Sequence, residues 1–187
     1  MTGVTRPRLA ALALLSILVI SGCSGGSDDG PSSSGTSTAS PSAADTLVQT
    51  GLEQLQKGDD AKAQATFENV LALDTDNVYG HYNLGLLAQR AGNNTLAIKH
   101  YDAALKADPA FSSALYNKAI ILEPDDLDAS VELYRRAVAA DPELAAAHMR
   151  LGFALLHLGK KAEAEKHLAT GVKLDPSMVD VKAPSYD

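Results

Sequence analysis

The chain repeats itself with a period of 33 to 34 residues, and this repetition restricts its fold more than any other feature. Asp-Pro dipeptides begin at residues 108, 141 and 175, and counting 34 residues back from the first finds Asp74. Gly58, Gly92 and Gly159 follow the same spacing. A fixed period of this length is typical of a solenoid, in which each repeat packs against its neighbours. The markers divide the chain into four repeats, 44–77, 78–111, 112–144 and 145–178.

Each repeat is predicted to form two helices joined by a short turn. In the second repeat, apolar residues recur at helical spacing before and after Gly92, and proline at residue 109 breaks the chain again. One position on each helix is small and one on the second helix is large, so that two backbones approach closely and a bulky side chain fills the space between hairpins. The small set is Gly51, Gly85, Ala119 and Gly152 on the first helices and Ala63, Ala97, Ser130 and Ala164 on the second; the large set is Phe67, Tyr101, Tyr134 and Leu168.

This pattern resembles the tetratricopeptide repeat. The resemblance covers about 133 of the 187 residues, and its clearest copy runs from Tyr82-Asn83-Leu84-Gly85 through Ala97-Ile98 and Tyr101 to Asp108-Pro109. It implies an all-α, right-handed solenoid of four helical hairpins. It also implies a protein that binds other proteins and is not an enzyme.

The same resemblance places a partner-binding groove on the first helix of each repeat. Aromatic, Met and Arg side chains are favoured in the buried centres of protein interfaces. Asn83, Asn117 and Arg150 would form a ladder able to hydrogen-bond a partner's backbone, although tyrosines and asparagines at these positions also serve in packing. The implied groove residues are Tyr79, Tyr82, Asn83, Leu86, Tyr116, Asn117, Ile120, Met149, Arg150, Phe153 and His157.

The third repeat departs from the pattern at its turn, where Glu123-Pro124-Asp125-Asp126 replaces the glycine. Because the residue before a proline avoids helical geometry, we expect the preceding helix to end near Leu122. The acidic residues of this turn, with Asp128, lack the glycine and closing glutamate of a calcium loop and are expected to be solvated. The tail, 179–187, is too short and polar for a capping helix, so part of the last apolar face is expected to be uncovered.

The N-terminus has the features of an export signal. Arg6 and Arg8 precede a twelve-residue apolar stretch that is too short to cross a bilayer, which needs roughly 20 residues. The run Ile20-Ser21-Gly22-Cys23 resembles the bacterial lipobox, which implies cleavage of the signal 1–22 and lipidation of Cys23. No second cysteine exists for a disulfide. The alternative is an ordinary secretory signal that happens to end in a cysteine.

Residues 23–43 contain mostly Ser, Gly, Thr, Asp, Ala and Pro and are expected to be a disordered linker. Loss of the signal with its two arginines would lower the net charge from −7 to −9. No Lys/Arg cluster follows residue 22, which argues against nucleic acid as a partner. It also argues against electrostatic binding to anionic lipid, so the predicted anchor is covalent.

The sequence shows no catalytic or metal-binding motif. No short ligand spacing joins the five histidines, and His81 and His148 occupy one repeat position at which the family places a packing residue. We therefore expect no cofactor and no metal.

The prediction is a lipid-anchored scaffold or assembly adaptor on the extracytoplasmic face of a bacterial cell membrane, with envelope or membrane proteins as partners. Inner and outer membranes both stay open for a two-membrane host. The alternative is an envelope lipoprotein that binds a glycan or small ligand, or an accessory subunit of an envelope enzyme.

Overall fold

A computed structural model describes residues 41–186. Within that range the chain forms eight α-helices, one short 3₁₀ helix at Pro176–Asp180, and no strand. The helices are α1 (Ala43–Gln56), α2 (Asp60–Leu73), α3 (Val78–Arg90), α4 (Asn94–Ala107), α5 (Ser112–Leu122), α6 (Leu127–Ala140), α7 (Ala145–His157) and α8 (Lys161–Leu174). Consecutive helices pair as four hairpins, and the second helix of each hairpin packs on the first helix of the next. The predicted all-α solenoid is confirmed.

The pairing of small with large residues holds the two helices of a hairpin close together. A Cβ added to Gly85 would lie 2.6 Å from Cε1 of Tyr101, and one added to Gly51 would lie 2.6 Å from Cζ of Phe67. A Cβ added to Gly152 would likewise lie 2.6 Å from Cγ of Leu168. At these three positions, therefore, no side chain larger than hydrogen fits between the helices without movement of the large residue.

The turns inside the hairpins differ as the sequence indicated. Gly58, Gly92 and Gly159 have φ between 73° and 77°, a backbone region that favours glycine. In the third hairpin α5 ends at Leu122, as expected, but Glu123 before the proline keeps helical backbone geometry, with φ −52° and ψ −38°, so the cause given for that end was wrong. The side chain of Asp126 then accepts the backbone N–H of Ala129 at 3.0 Å and caps α6.

Glu123 corrects the expectation of a fully solvated acidic turn. Asp125, Asp126 and Asp128 are exposed, but Glu123 is only 5% exposed. The cause is Tyr134, which is fully buried and whose hydroxyl needs an acceptor. That hydroxyl donates to Oε2 of Glu123 at 2.9 Å and so draws the carboxylate inward.

Ser42 precedes helix α1 as its N-cap. Its hydroxyl accepts the N–H of Asp45, and the Asp45 carboxylate accepts the N–H of Ser42 in return, so α1 starts with a capping box. The predicted signal 1–22, Cys23 and the linker up to residue 40 lie outside the described residues. Between residues 41 and 186, no helix combines the length and the apolar character needed to span a membrane.

Candidate partner-binding face

The eleven predicted groove residues lie on α3, α5 and α7, the first helices of the second, third and fourth hairpins. We call the surface they form the docking face. Helix α3 carries four of them, α5 three and α7 four: Tyr79, Tyr82, Asn83 and Leu86; Tyr116, Asn117 and Ile120; Met149, Arg150, Phe153 and His157.

The accessible part of the docking face is largely aromatic. Tyr79 is 54% exposed and His157 is exposed, while Tyr116 and Phe153 are partly buried. Phe111, from the loop before α5, contacts Tyr79 edge-on, with ring centroids 5.7 Å apart and planes at 86°. Rings held in this geometry are pre-ordered, so contact with a partner costs them little conformational entropy.

Tyr82 connects the second and third hairpins. Its ring packs edge-on against Phe111 at 5.2 Å, and its hydroxyl accepts a hydrogen bond from Nδ2 of Asn117 at 3.1 Å. Tyr82 therefore stabilises the face as well as lining it. Asn117 reaches across to the neighbouring hairpin and positions that hydroxyl.

The predicted polar ladder does not form as a set. Asn83 is 3% exposed and donates through Nδ2 to the carbonyl of Tyr79 at 2.8 Å, so it satisfies its own helix. Met149 is 6% exposed and packs against Gly171 of α8. Arg150 alone among the ladder residues carries charge, and that charge is directed at Glu123.

Glu123 and Arg150 form the charged centre of the docking face. Nη1 of Arg150 donates to Oε2 of Glu123 at 3.0 Å, the same oxygen that receives the hydroxyl of Tyr134. Burial, followed by the nearby Glu123 carboxylate, raises the pKa of Tyr134. That hydroxyl therefore stays protonated and remains a donor at physiological pH.

Sequence reasoning missed Glu123 as a site residue, although a signal for it exists. In the second hairpin the hydroxyl of Tyr101 donates to Oε1 of Gln89 at 2.7 Å. Gln89 and Glu123 hold equivalent positions in their repeats, near the end of the first helix. A tyrosine at the large position therefore predicts a polar acceptor near the preceding turn, whereas Phe67 and Leu168 need none.

The C-terminal segment contributes to the docking face, which the sequence did not indicate. A cleft of about 330 Å³ lies between α5, α7 and this segment. Tyr116, Arg150 and Phe153 line one side of it, and Met178 and Pro184 are among the residues that line the other. Residues 176–186 thus form a wall of the predicted binding surface.

Two histidine pairs occupy equivalent places in the second and fourth hairpins. The Nδ1 atoms of His81 and His100 are 3.2 Å apart, and those of His148 and His167 are 3.0 Å apart. In both pairs the Nε2 of the first histidine faces a backbone carbonyl, at Thr75 or Pro142. When both rings are neutral, that Nε2 carries the hydrogen, so the second histidine donates from Nδ1.

The second histidine of each pair has a lowered pKa. Burial, and then the charge of His81, lowers the pKa of His100; burial, and then His148, lowers the pKa of His167. Lys99 also lowers the pKa of His100, whereas Glu68 raises it. Glu163 raises the pKa of His167, whereas Arg135 lowers it. Within residues 41–186 no group of three or more His, Cys, Asp or Glu side chains could hold a metal ion.

Comparison with known proteins identifies the same repeats. Models of the tetratricopeptide repeat match residues 48–110, 82–123 and 122–183. The type IV pilus assembly protein PilF of Pseudomonas aeruginosa is 26% identical over 183 residues, which are 95% of this chain and 71% of that protein.

Solved structures show the same architecture. The Pseudomonas aeruginosa pilF structure has a TM-score of 0.64 and 25% identity, covering 72% of this chain and 62% of that one. MamA from Desulfovibrio magneticus RS-1 has a TM-score of 0.58 and 26% identity, covering 73% and 78%. An O-GlcNAc transferase of Thermobaculum terrenum has a TM-score of 0.56 and 26% identity, covering 60% of this chain and only 22% of that one.

Proposed function

Because residues 48–183 belong to the tetratricopeptide-repeat family, we propose that the protein binds a segment of a partner protein along its docking face, without catalysis, as a scaffold or assembly adaptor. The observation that carries this proposal is the row of accessible aromatic side chains on α3, α5 and α7, from Tyr79 to Tyr116 and Phe153. These side chains supply apolar contact area, and the Glu123–Arg150 pair supplies fixed polar groups among them. That combination suits an extended or helical peptide segment.

An envelope location is part of the proposal. The lipobox-like run ending at Cys23 would attach the chain to a membrane after export. Two or more acyl chains on that residue would make the attachment stable. The similarity to a type IV pilus assembly protein supports a role in assembling envelope structures. Confinement to a membrane surface would raise the effective concentration of the partners.

The test of the binding function uses the full chain in its own cells. A photoreactive amino acid is placed at Tyr79, Tyr116 or Phe153, with Glu165 on α8 as an exposed control position outside the docking face. We expect one dominant envelope protein to crosslink from the three face positions and not from the control. Equal crosslinking from all four positions, or none from the face, would contradict the proposed function.

The test of the anchor compares wild type with Cys23→Ala and with the control Ser24→Ala. We expect wild type and the control to remain with washed membranes and to incorporate labelled fatty acid. Cys23→Ala should do neither. If Cys23→Ala stays with the membranes as firmly as wild type, the covalent anchor is wrong, although the docking face is unaffected by that result.

The cleft beside Tyr116 favours one alternative, a glycan or other small ligand, because it is about 330 Å³ in volume and partly aromatic. Thermal denaturation of the full chain with added muropeptides or simple sugars separates the two functions. Stabilisation that Phe153→Ala abolishes would support the small-ligand function, and unchanged stability favours the protein partner.

A further inference from the structure

The C-terminal segment lies across the docking face as an extended chain. After the 3₁₀ helix, residues 181–186 form no regular structure. Met178, Val181, Lys182 and Pro184 line the same cleft as Tyr116 and Phe153. A polypeptide segment of this same chain therefore already occupies part of the surface proposed to receive a partner.

Tyr186 makes the most specific contacts of this segment. Its hydroxyl donates to Oε1 of Glu123 at 2.8 Å, a contact between residues 63 positions apart. Its ring lies beside the imidazole of His157, with centroids 4.8 Å apart and planes at 41°. Burial, and then the hydrogen bond to Glu123, raises the pKa of Tyr186, so the hydroxyl remains a donor.

The two oxygens of Glu123 have different partners. Oε2 accepts from Tyr134 and Arg150, which belong to α6 and α7 and not to the tail. Oε1 accepts from Tyr186 of the tail. A buried carboxylate needs donors for its oxygens. The helices thus hold Oε1 ready on the docking face for a hydroxyl from outside the solenoid.

Part of the tail is loosely packed. Val179 is 66% exposed and Val181 is 49% exposed, so much of its apolar surface gains nothing from burial. Segments with few buried contacts open at low free-energy cost. The short connection to α8, however, keeps the tail at an effective concentration on the order of millimolar, so a partner must compete with it.

We propose that the C-terminal segment is an intramolecular occupant of the docking face, and that the partner which displaces it presents a tyrosine to Glu123 and His157. This inference rests on the proposed function and specifies the partner's chemistry. The partner's hydroxyl takes the place of the Tyr186 hydroxyl on Oε1, and its ring takes the place beside the imidazole. Access to the face then depends on release of the tail.

The experiment uses a fluorescent peptide that copies residues 178–187. Its binding is measured by anisotropy to the wild-type chain, to Tyr186→Phe, and to a chain that ends at residue 180. We expect at least tenfold tighter binding to the shortened chain than to wild type, because the competing segment is gone. Tyr186→Phe should lie between them, and Glu165→Gln, an exposed substitution on α8 outside the docking face, should match wild type.

A second peptide with phenylalanine in place of its tyrosine tests recognition of the hydroxyl. We expect it to bind the shortened chain at least tenfold more weakly, since a hydrogen bond to a charged acceptor is lost. Equal binding of the two peptides would overturn the tyrosine preference. Equal binding of the first peptide to wild type and to the shortened chain would overturn occupation by the tail. Circular dichroism confirms that each variant is folded.

The crosslinking test separates this inference from the proposed function. If Tyr79 and Tyr116 crosslink to a partner but the peptide binds no variant, the tail proposal fails and the scaffold proposal stands. If Tyr79, Tyr116 and Phe153 yield no crosslinked partner, the proposed function itself fails.

Discussion

Replacement of Arg150 by methionine tests the charged centre of the docking face. Methionine keeps most of the side-chain length but removes the cation that lies 3.0 Å from Oε2 of Glu123. Glu123 is 5% exposed, so its charge would remain in a buried site with only tyrosine hydroxyls as donors. We therefore expect Arg150→Met to lower the free energy of unfolding.

The expected loss is about 2 kcal/mol. Removing one partner of a fully buried ion pair costs about 3–5 kcal/mol. The value here is smaller because the Arg150 side chain remains 31% exposed and Glu123 keeps hydrogen bonds from two tyrosines. For a folded part of this size, a loss of about 2 kcal/mol lowers Tm by about 4–8 °C.

The assay is urea denaturation at pH 7, with Glu123→Gln alone and combined with Arg150→Met to complete a double-mutant cycle. We expect the double variant to be more stable than Arg150→Met alone, since the unpaired charge is gone. Arg90→Met is the matched control, because Arg90 and Asp60 are each 51% exposed and their ion pair spans 3.6 Å. Strictly additive losses, or an equal loss in the control, would refute the reasoning.

Three further predictions concern the solenoid itself. Gly85→Ala should lower the free energy of unfolding by about 1–3 kcal/mol, because the new methyl group would lie 2.6 Å from Tyr101. Urea denaturation measures this loss, and an unchanged free energy of unfolding would contradict the close approach. The pKa of His100 and of His167 is lowered in the folded chain, so the unfolded chain binds more protons between that lowered pKa and 6.5. The free energy of unfolding should therefore be constant above about pH 6.5 and fall as the pH drops towards the lowered pKa. Tm measured against pH should therefore decline less steeply when both are glutamine, and an unaltered slope would count against the histidine pairs. Asp126→Ala should lower the free energy of unfolding by about 1 kcal/mol, because α6 would lose its N-cap. Urea denaturation measures this loss, and an unchanged free energy of unfolding would contradict the cap.

The helical repeats were predictable from sequence because their physics is local. Period, helical spacing and turn residues all act over a few positions, and the end of α5 at Leu122 was expected from the sequence. The small and large positions were also predictable, but the large residues were expected between neighbouring hairpins, whereas Tyr101 packs against Gly85 of its own hairpin.

The site was less predictable because its decisive contacts depend on distant or unmatched residues. Glu123 looked like part of a solvated turn, yet the buried hydroxyl of Tyr134 requires it as an acceptor. The partner of His148 is His167, one helix away, and no short spacing marks that pair. Tyr186 reaches its acceptor across 63 residues, through a tail whose composition indicates no structure.

The Tyr186–Glu123 hydrogen bond also affects how the C-terminal end of the solenoid unfolds. In repeat arrays a terminal hairpin frays independently, since it is held only by the hairpin next to it. Here the tail follows the fourth hairpin but is hydrogen-bonded to Glu123 of the third. Helices α7 and α8 therefore unfold only after that hydrogen bond breaks. A partner tyrosine that replaces Tyr186 would bridge the same two hairpins, since its hydroxyl would contact Glu123 and its ring His157 of α7, so binding would preserve order at the C-terminal end.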